Sequence, residues 1–144
     1  MNGITLIWRG VPAYAWVGVA YALTVLSAPR GATSGPALEA WLDAPLARLP
    51  LLGSGALPVS LTTLFVVAGF AAAWVEVIRA TRLRDRGGND GLSIVATIAA
   101  VLVFVGAAPF ATVAFLVVPL AGLGDLLLDR LVGQAVARRD LAIG

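Results

Sequence analysis

Four apolar stretches fill most of this 144-residue chain, at about residues 11–28, 58–80, 92–108 and 110–131. A helix needs about 20 predominantly apolar residues to cross the ~30 Å hydrocarbon core of a bilayer, and each stretch is close to that length. The connections between them leave no room for a second domain. The pattern therefore predicts an all-α polytopic membrane protein in which residues 1–144 form a single bundle of four transmembrane helices.

The composition excludes most other classes of protein. Hydrophobic residues make up 60% of the chain and charged residues 12%, whereas a soluble domain typically carries about 25% charged residues. The chain has no histidine, cysteine or lysine, which removes the usual ligands of haem, iron–sulfur and zinc centres. Phosphate-binding glycine loops and nucleophile motifs are also absent from the sequence. We therefore expect no enzyme activity, no catalytic, cofactor-binding or metal-binding residues, and no cofactor.

The placement of the ten basic residues, all of them arginines, predicts the topology. Most of them lie before the first stretch, around the loop 81–91 or near the C-terminus, namely Arg9, Arg79, Arg82, Arg84, Arg86, Arg130, Arg138 and Arg139. The long loop 29–57 holds only Arg30 and Arg48. Because short basic loops stay cytoplasmic, we expect both termini and loop 81–91 to lie inside a bacterial inner membrane, with loop 29–57 in the periplasm. Anionic lipid accounts for such basic loops without a nucleic-acid partner.

The first stretch carries several aromatic residues. Trp8, Tyr14 and Trp16 are predicted to anchor it at the membrane interface, where amphipathic rings concentrate. A cleaved signal peptide with Arg9 in its basic region is the alternative for this segment. The length of the stretch favours a retained transmembrane helix.

The periplasmic loop is predicted to contain a short amphipathic helix that lies flat on the membrane. From Pro36, apolar residues recur at three- and four-residue spacing, namely Ala37, Leu38, Trp41, Leu42, Leu46 and Leu49. Pro45 is expected to break or kink this helix. Two interpretations stay open, either a lid resting on the bundle or a docking surface for a neighbouring subunit with Trp41 as its anchor.

The second stretch begins at Pro58, a favourable residue for the start of a helix. It carries small residues that let another backbone approach closely, and these are candidate partner contacts within the chain or between protomers, namely Ala68, Gly69, Ala72 and Ala73. Glu76 near its end can pair with Arg79 at i to i+3 spacing.

The third and fourth stretches are predicted to form a tight helical hairpin, because Gly106 and Pro109 mark a turn between them. The alternative is one kinked helix from Leu92 to Val118. That alternative makes three spans and puts the terminal arginines outside, against the charge rule. Within the fourth stretch, Pro119 predicts a kink, and Gly122 and Gly124 are expected to loosen the turn that follows.

The end of the fourth stretch holds the most informative charges. Asp125 and Asp129 lie one turn apart, and an ionised carboxylate at the depth of Asp125 is costly unless it is paired. Arg79 or Arg82 of the second stretch is the expected partner. We therefore treat Glu76, Arg79, Arg82, Asp125, Asp129 and Arg130 as candidate structural ion-pair residues. The alternative is a proton or cation relay through Asp125 and Glu76.

The C-terminal half also resembles a group of small, uncharacterised bacterial inner-membrane proteins with four predicted helices. The resemblance rests on the segments 76–82 (EVIRATR), 90–93 (DGLS) and 138–140 (RRD), together with Asp125. It implies fold and location rather than activity. Members of the group often carry a histidine where this chain has Gly91, so the resemblance does not imply a proton-carrying loop here.

Two functions are compatible with these features. We favour a noncatalytic accessory or scaffold subunit that packs against partner membrane proteins, or against copies of itself, within the lipid bilayer. The alternative is a small oligomeric ion or small-solute transporter or channel that uses Glu76 and Asp125. An accessory role needs no polar pathway, whereas a transporter needs a wet one.

Overall fold

The structure is a computed structural model that describes residues 11–50, 55–82 and 90–143. Most of the described chain is helical, in the order α1 (Ala13–Leu26), α2 (Gly35–Asp43), β1 (Pro45–Pro50), β2 (Ala56–Ser60), α3 (Leu61–Arg82), α4 (Asp90–Gly106), a 3-10 turn (Ala108–Phe110) and α5 (Val113–Ile143). The four apolar stretches correspond to α1, α3, α4 and α5. The all-α prediction is wrong in one respect, because β1 and β2 form an antiparallel hairpin.

Helix α5 is the centre of the bundle and packs on α1, α3 and α4. Close approach depends on glycine at two of these contacts. Gly69 of α3 faces Val117 of α5 so closely that any Cβ would overlap the valine side chain. A Cβ on Gly122 of α5 would lie 2.5 Å from Thr97 Oγ1 of α4. Gly122 therefore serves packing inside a continuous helix and does not loosen a turn.

The lengths of the helices differ more than the four similar stretches suggest. Among the described residues, one helical segment, Leu61–Arg79, is long and apolar enough to cross a membrane. Ala13–Leu26 and Gly91–Gly106 are apolar but shorter, and α5 carries Asp125, Asp129 and Arg130 along its length. The prediction of four transmembrane helices is therefore not supported by the described residues, of which one segment has the length and apolarity of a span.

The predicted amphipathic helix exists only in its first half. Helix α2 ends at Asp43, and Pro45 begins β1, so Leu46 and Leu49 lie on a strand. A helix through Leu49 is thus wrong, for the reason that proline suggests: Pro45 has no N–H to donate to the carbonyl four residues earlier. Leu38 and Leu42 of α2 are buried in the core, so α2 faces the bundle with these leucines.

The start of α3 also differs from the prediction. Pro58 lies in β2, and the helix begins three residues later at Leu61. Ser60 takes the capping position, since its Oγ accepts a hydrogen bond from the Thr63 N–H at 3.2 Å. A serine that satisfies a free N–H of the first turn is a common helix start.

The break between α4 and α5 lies at the predicted turn, and the segment is two helices rather than one. Thr112 caps α5, with its Oγ1 accepting from the Phe115 N–H at 3.3 Å. Pro119 lies inside α5, which continues through it to Ile143, twelve residues past the predicted end of the span at 131.

Candidate functional site

The outer surface of the helices is apolar. Large hydrophobic side chains are exposed on all four long helices, including Val19 and Leu23 on α1, Val67, Phe70 and Trp74 on α3, Val95 and Leu102 on α4, and Leu120 and Leu127 on α5. Soluble proteins rarely expose contiguous apolar patches of more than a few hundred Å². The described helices therefore present an apolar exterior along most of their length.

The interior of the bundle contains polar groups, although its outer surface is apolar. Among the residues that the structure describes, six polar or charged ones are buried, namely Ser60, Glu76, Ser93, Thr97, Thr112 and Asp125. Within the described parts of the chain, each buried polar side-chain atom has a hydrogen-bond partner. Satisfied polar groups inside an apolar shell favour one specific packing, because an unpaired group there costs several kcal/mol (roughly 2–7).

Glu76 holds the N-terminus of α1. Its Oε1 accepts a hydrogen bond from the backbone N–H of Ala13 at 2.6 Å, across 63 positions of sequence. Ala13 is the first residue of α1, whose preceding Pro12 provides no side-chain cap. The carboxylate thus satisfies an N–H that a helix leaves free at its start, and its negative charge meets the positive end of the helix dipole.

Arg79 completes this contact, one turn further along α3. Its Nη1 lies 3.0 Å from the same oxygen of Glu76, at the i to i+3 spacing seen in the sequence. The same nitrogen donates to the carbonyl of Val11 at 3.5 Å. We call Glu76, Arg79 and the backbone of Val11 and Ala13 the Glu76 clamp. It binds both a donor and an acceptor of the chain entering α1.

Tyr14, directly after the clamp, connects α1 to α4. Its hydroxyl donates to the Ser93 carbonyl at 3.0 Å and shares a hydrogen bond with Thr97 Oγ1 at 2.9 Å. Thr97 Oγ1 also lies 2.8 Å from the Ser93 carbonyl. Tyr14 is 0% exposed, so its predicted role as an interfacial anchor is wrong. The ring packs inward because its hydroxyl finds partners there.

Asp125 lies in the same region of the interior. It is 4% exposed and lies one turn after Gly122, which packs closely against Thr97. Asp125 and Asp129 each have an interaction partner in the structure. Arg130 and half-buried Asp129 lie further along α5, with Arg130 exposed. The Arg82 side chain, the other expected partner, lies outside the described residues, as does Trp8.

Tyr21 makes the corresponding connection at the other end of the bundle. Its hydroxyl shares a hydrogen bond with Thr112 Oγ1 at 2.6 Å and donates to the Pro109 carbonyl at 3.0 Å. Its ring packs against Phe65, Phe110 and Phe115 at centroid distances of 5.2–5.7 Å. Tyr21 therefore fastens α1 to the turn between α4 and α5.

The small residues of α3 divide between inside and outside. Gly69 and Ala72 are buried, with Gly69 against α5, and Ala73 packs against the core. Ala68 is exposed. Close packing on this face is therefore internal to the chain at Gly69. Trp41 of α2 is half-buried and also packs against the core, which is the position expected of a lid.

A small cavity of about 110 Å³ lies between α2 and the bundle. Its lining combines two carboxylates, two hydroxyls and three apolar side chains, from Glu39, Leu42, Asp43, Thr62, Thr112, Val113 and Ala114. Neither Glu76 nor Asp125 lines it. Within the described ranges, no group of three or more acidic residues is placed to hold a metal ion.

Sequence reasoning missed the two tyrosines of α1 as structural residues. Tyr14 and Tyr21 are seven positions apart, which is two helical turns, so they share one face of α1. Both are fully buried. That spacing is the signal for a shared buried face, whereas the position of Tyr14 near the start of the apolar stretch is also typical of an interfacial anchor.

Comparisons with known proteins add no relatives to this description. No family model, curated protein or solved structure matches the chain.

Proposed function

We propose that this chain is a noncatalytic accessory or scaffold subunit of a bacterial inner membrane. Its α1, α3, α4 and α5 lie in the bilayer as a four-helix bundle, with both termini cytoplasmic and the α2 and hairpin segment in the periplasm. Its partners are the lipid bilayer and either other membrane proteins or further copies of the chain. The resemblance of the C-terminal half to small inner-membrane proteins agrees with this proposal.

The apolar exterior supports placement in a bilayer. In water, each large apolar side chain left exposed forgoes about 1.5–3 kcal/mol relative to burial, whereas lipid tails solvate it. Six polar or charged side chains of the described residues are buried inside this apolar surface, which is the arrangement that a nonpolar solvent favours. The α3 segment Leu61–Arg79 is long enough to cross unaided, and shorter neighbours are tolerated where the bilayer thins or helix ends snorkel.

The Glu76 clamp is the observation that supports a structural role over transport. A carboxylate that carries a proton or cation must exchange partners with water or with the ion. Glu76 is 6% exposed, and its Oε1 is shared between the Ala13 N–H and the Arg79 guanidinium. Releasing that oxygen would leave the Ala13 N–H at the start of α1 without its acceptor. The carboxylate is therefore suited to holding helices together.

The competing function is a small ion or solute transporter or channel that uses Glu76 and Asp125. Flux measurements distinguish the two functions. Purified protein is reconstituted into vesicles, and proton and monovalent cation entry is measured under an imposed potential for the wild type, Glu76→Gln and Asp125→Asn. Glu39→Gln, which neutralises an exposed acid on α2, is the matched control.

We expect the wild type and all three variants to show the flux of protein-free vesicles. We also expect Glu76→Gln and Asp125→Asn to lower thermal stability in detergent while Glu39→Gln leaves it unchanged. Wild-type flux that either buried substitution abolishes, with stability retained, would support transport and overturn the proposal.

The accessory role itself is tested by mild extraction from the native membrane. The protein is expected to migrate in a complex larger than the monomer, either with other membrane proteins or with copies of itself. The complex should weaken in the Glu76→Gln variant and persist in Glu39→Gln. A monomer throughout would contradict a scaffold.

A further inference from the structure

The β1–β2 hairpin has an apolar face that the described parts of the chain leave exposed. In its antiparallel register Leu49 lies opposite Leu57, and Ala47 lies opposite Val59. Opposite residues on paired strands point to the same side, as do residues two apart, so these four share one face. Arg48 and Pro58 form a pair on the other side. We call the first set the leucine face.

Both leucines of this face are open to the surroundings. Leu49 is 53% exposed and Leu57 is 47% exposed, and every position of β1 is exposed. An isolated two-stranded hairpin is marginally stable in water and normally requires a further strand or an apolar surface to pack on. The hairpin therefore fits a surrounding that accepts apolar side chains on one side and an arginine on the other.

The position of the hairpin relative to α3 identifies that surrounding. Strand β2 ends at Ser60 and α3 begins at Leu61 with no linker. At about 3.3 Å per strand residue, Leu57 lies within ~13 Å of the first residue of α3. The hairpin thus lies at the end of the helix that is long enough to cross a membrane.

The extent of the apolar surface provides a second argument. Exposed large apolar residues run from Leu64 to Ile78 on α3 and from Leu92 to Val105 on α4. The whole apolar segment of α3, Leu61–Arg79, is 19 residues long and covers about 28 Å at 1.5 Å per residue, close to the ~30 Å hydrocarbon layer. This segment ends at Arg79 on one side, so its other end, where the hairpin begins, lies at the opposite boundary of the layer.

We infer that the leucine face is an interfacial membrane anchor, and that Leu49 and Leu57 insert into the acyl-chain boundary of the leaflet at the hairpin end of the bundle. This rests on the proposed membrane function. The sequence predicts that the helix containing α2 lies on the membrane. Because the leucines of α2 are buried, we assign this membrane contact to the hairpin instead. Arg48 on the opposite side then lies toward the headgroups and water.

The test uses the absence of cysteine from the chain, so that each introduced cysteine is a unique label site. Leu49→Cys and Leu57→Cys report the leucine face, Arg48→Cys is the matched control on the opposite face, and Val67→Cys on exposed α3 is the reference for lipid contact. Each variant is labelled with the fluorophore NBD and reconstituted into phosphatidylethanolamine–phosphatidylglycerol vesicles. Quenching is measured with lipids that carry a shallow nitroxide and with aqueous iodide.

We expect the labels at positions 49 and 57 to be quenched several-fold more by nitroxide lipid than the label at position 48, with the opposite order for iodide. Equal iodide quenching at all three hairpin positions would overturn the inference. So would protection from both quenchers at 49 and 57, which indicates a protein partner. The label at position 67 distinguishes a failure of the inference from a failure of the proposed function. If nitroxide lipid still quenches it, the bundle is in lipid and only the inference is overturned. If nitroxide lipid does not quench it, the proposed membrane function itself is contradicted.

Discussion

The carboxylate of Glu76 and the backbone N–H of Ala13 are 2.6 Å apart, although 63 positions separate them in the sequence. A side chain near the end of α3 thereby caps the start of α1. The capped helix goes on to carry Tyr14 and Tyr21, which fasten it to α4 and to the α4–α5 turn. The packing of α1 against α4 and against the α4–α5 turn therefore depends on where α1 begins.

Replacing Glu76 should destabilise the bundle more than replacing Arg79. Glu76→Met leaves the Ala13 N–H without its acceptor and should cost about 1.5–3 kcal/mol, as for hydrogen bonds to charged groups. Arg79→Met removes an ion pair whose arginine side is about a third exposed and a long contact with the Val11 carbonyl, but the Ala13 N–H keeps its acceptor, so its loss should be the smaller of the two. Thermal denaturation in detergent measures both. Equal losses, or a larger loss at Arg79, would show that the ion pair rather than the cap is the important contact.

Gly69→Ala should destabilise the α3–α5 contact. The added methyl overlaps Val117, and such overpacking costs typically 1–3 kcal/mol. Val117→Ala in the same chain should recover much of the loss, since the two sites are in contact and their effects do not add. As a control, Gly124→Ala meets no atom of the described residues within 4 Å and should be neutral or stabilising by about 0.5–1 kcal/mol. Additive effects at 69 and 117 would argue against the close approach.

Tyr14→Phe should lower stability by about 1 kcal/mol, the usual net value of a buried hydrogen bond. Thr97 keeps its bond to the Ser93 carbonyl, so the loss stays moderate. A double-mutant cycle with Thr97→Val measures the Tyr14–Thr97 coupling, and Thr24→Val, whose hydroxyl bonds only within α1 among the described contacts, is the control. The absence of coupling between Tyr14 and Thr97 would contradict the described network.

Thr112→Val should destabilise the turn between α4 and α5. The substitution removes the cap of α5 and a partner of the Tyr21 hydroxyl, and loss of a cap alone costs about 1 kcal/mol. Thr112→Ser retains the hydroxyl and should keep most of the stability. If the serine variant is unstable while the valine variant is as stable as the wild type, the methyl group rather than the hydroxyl is what matters.

Much of the helical architecture can be predicted from the apolar stretches, because the helical conformation of a long apolar run depends little on the segments beside it. The positions of the helix ends are predicted less accurately. Pro58 looked like a helix start, but Ser60 two residues later offers the side-chain acceptor that a first turn needs. The hairpin was missed because Leu46 and Leu49 continue the three- and four-residue spacing of α2, while Pro45 ends the helix before them.

In the candidate site, only the contacts between residues that are close in sequence can be predicted from the sequence. Glu76 and Arg79 are close in sequence, so their pairing could be anticipated from helix geometry. The Ala13 N–H could not, because it is a backbone donor whose position depends on how two distant helices pack. The inward direction of Tyr14 depends similarly on Ser93 and Thr97 of α4.

Amide hydrogen exchange at Ala13 tests the central claim most directly. In the reconstituted protein, NMR should show the Ala13 N–H protected in the wild type, because Glu76 accepts its hydrogen bond. Protection should be lost in Glu76→Met and retained in Glu39→Gln. An Ala13 N–H that exchanges equally in the wild type and Glu76→Met would show that the carboxylate does not hold α1, and would contradict the structural role assigned to it.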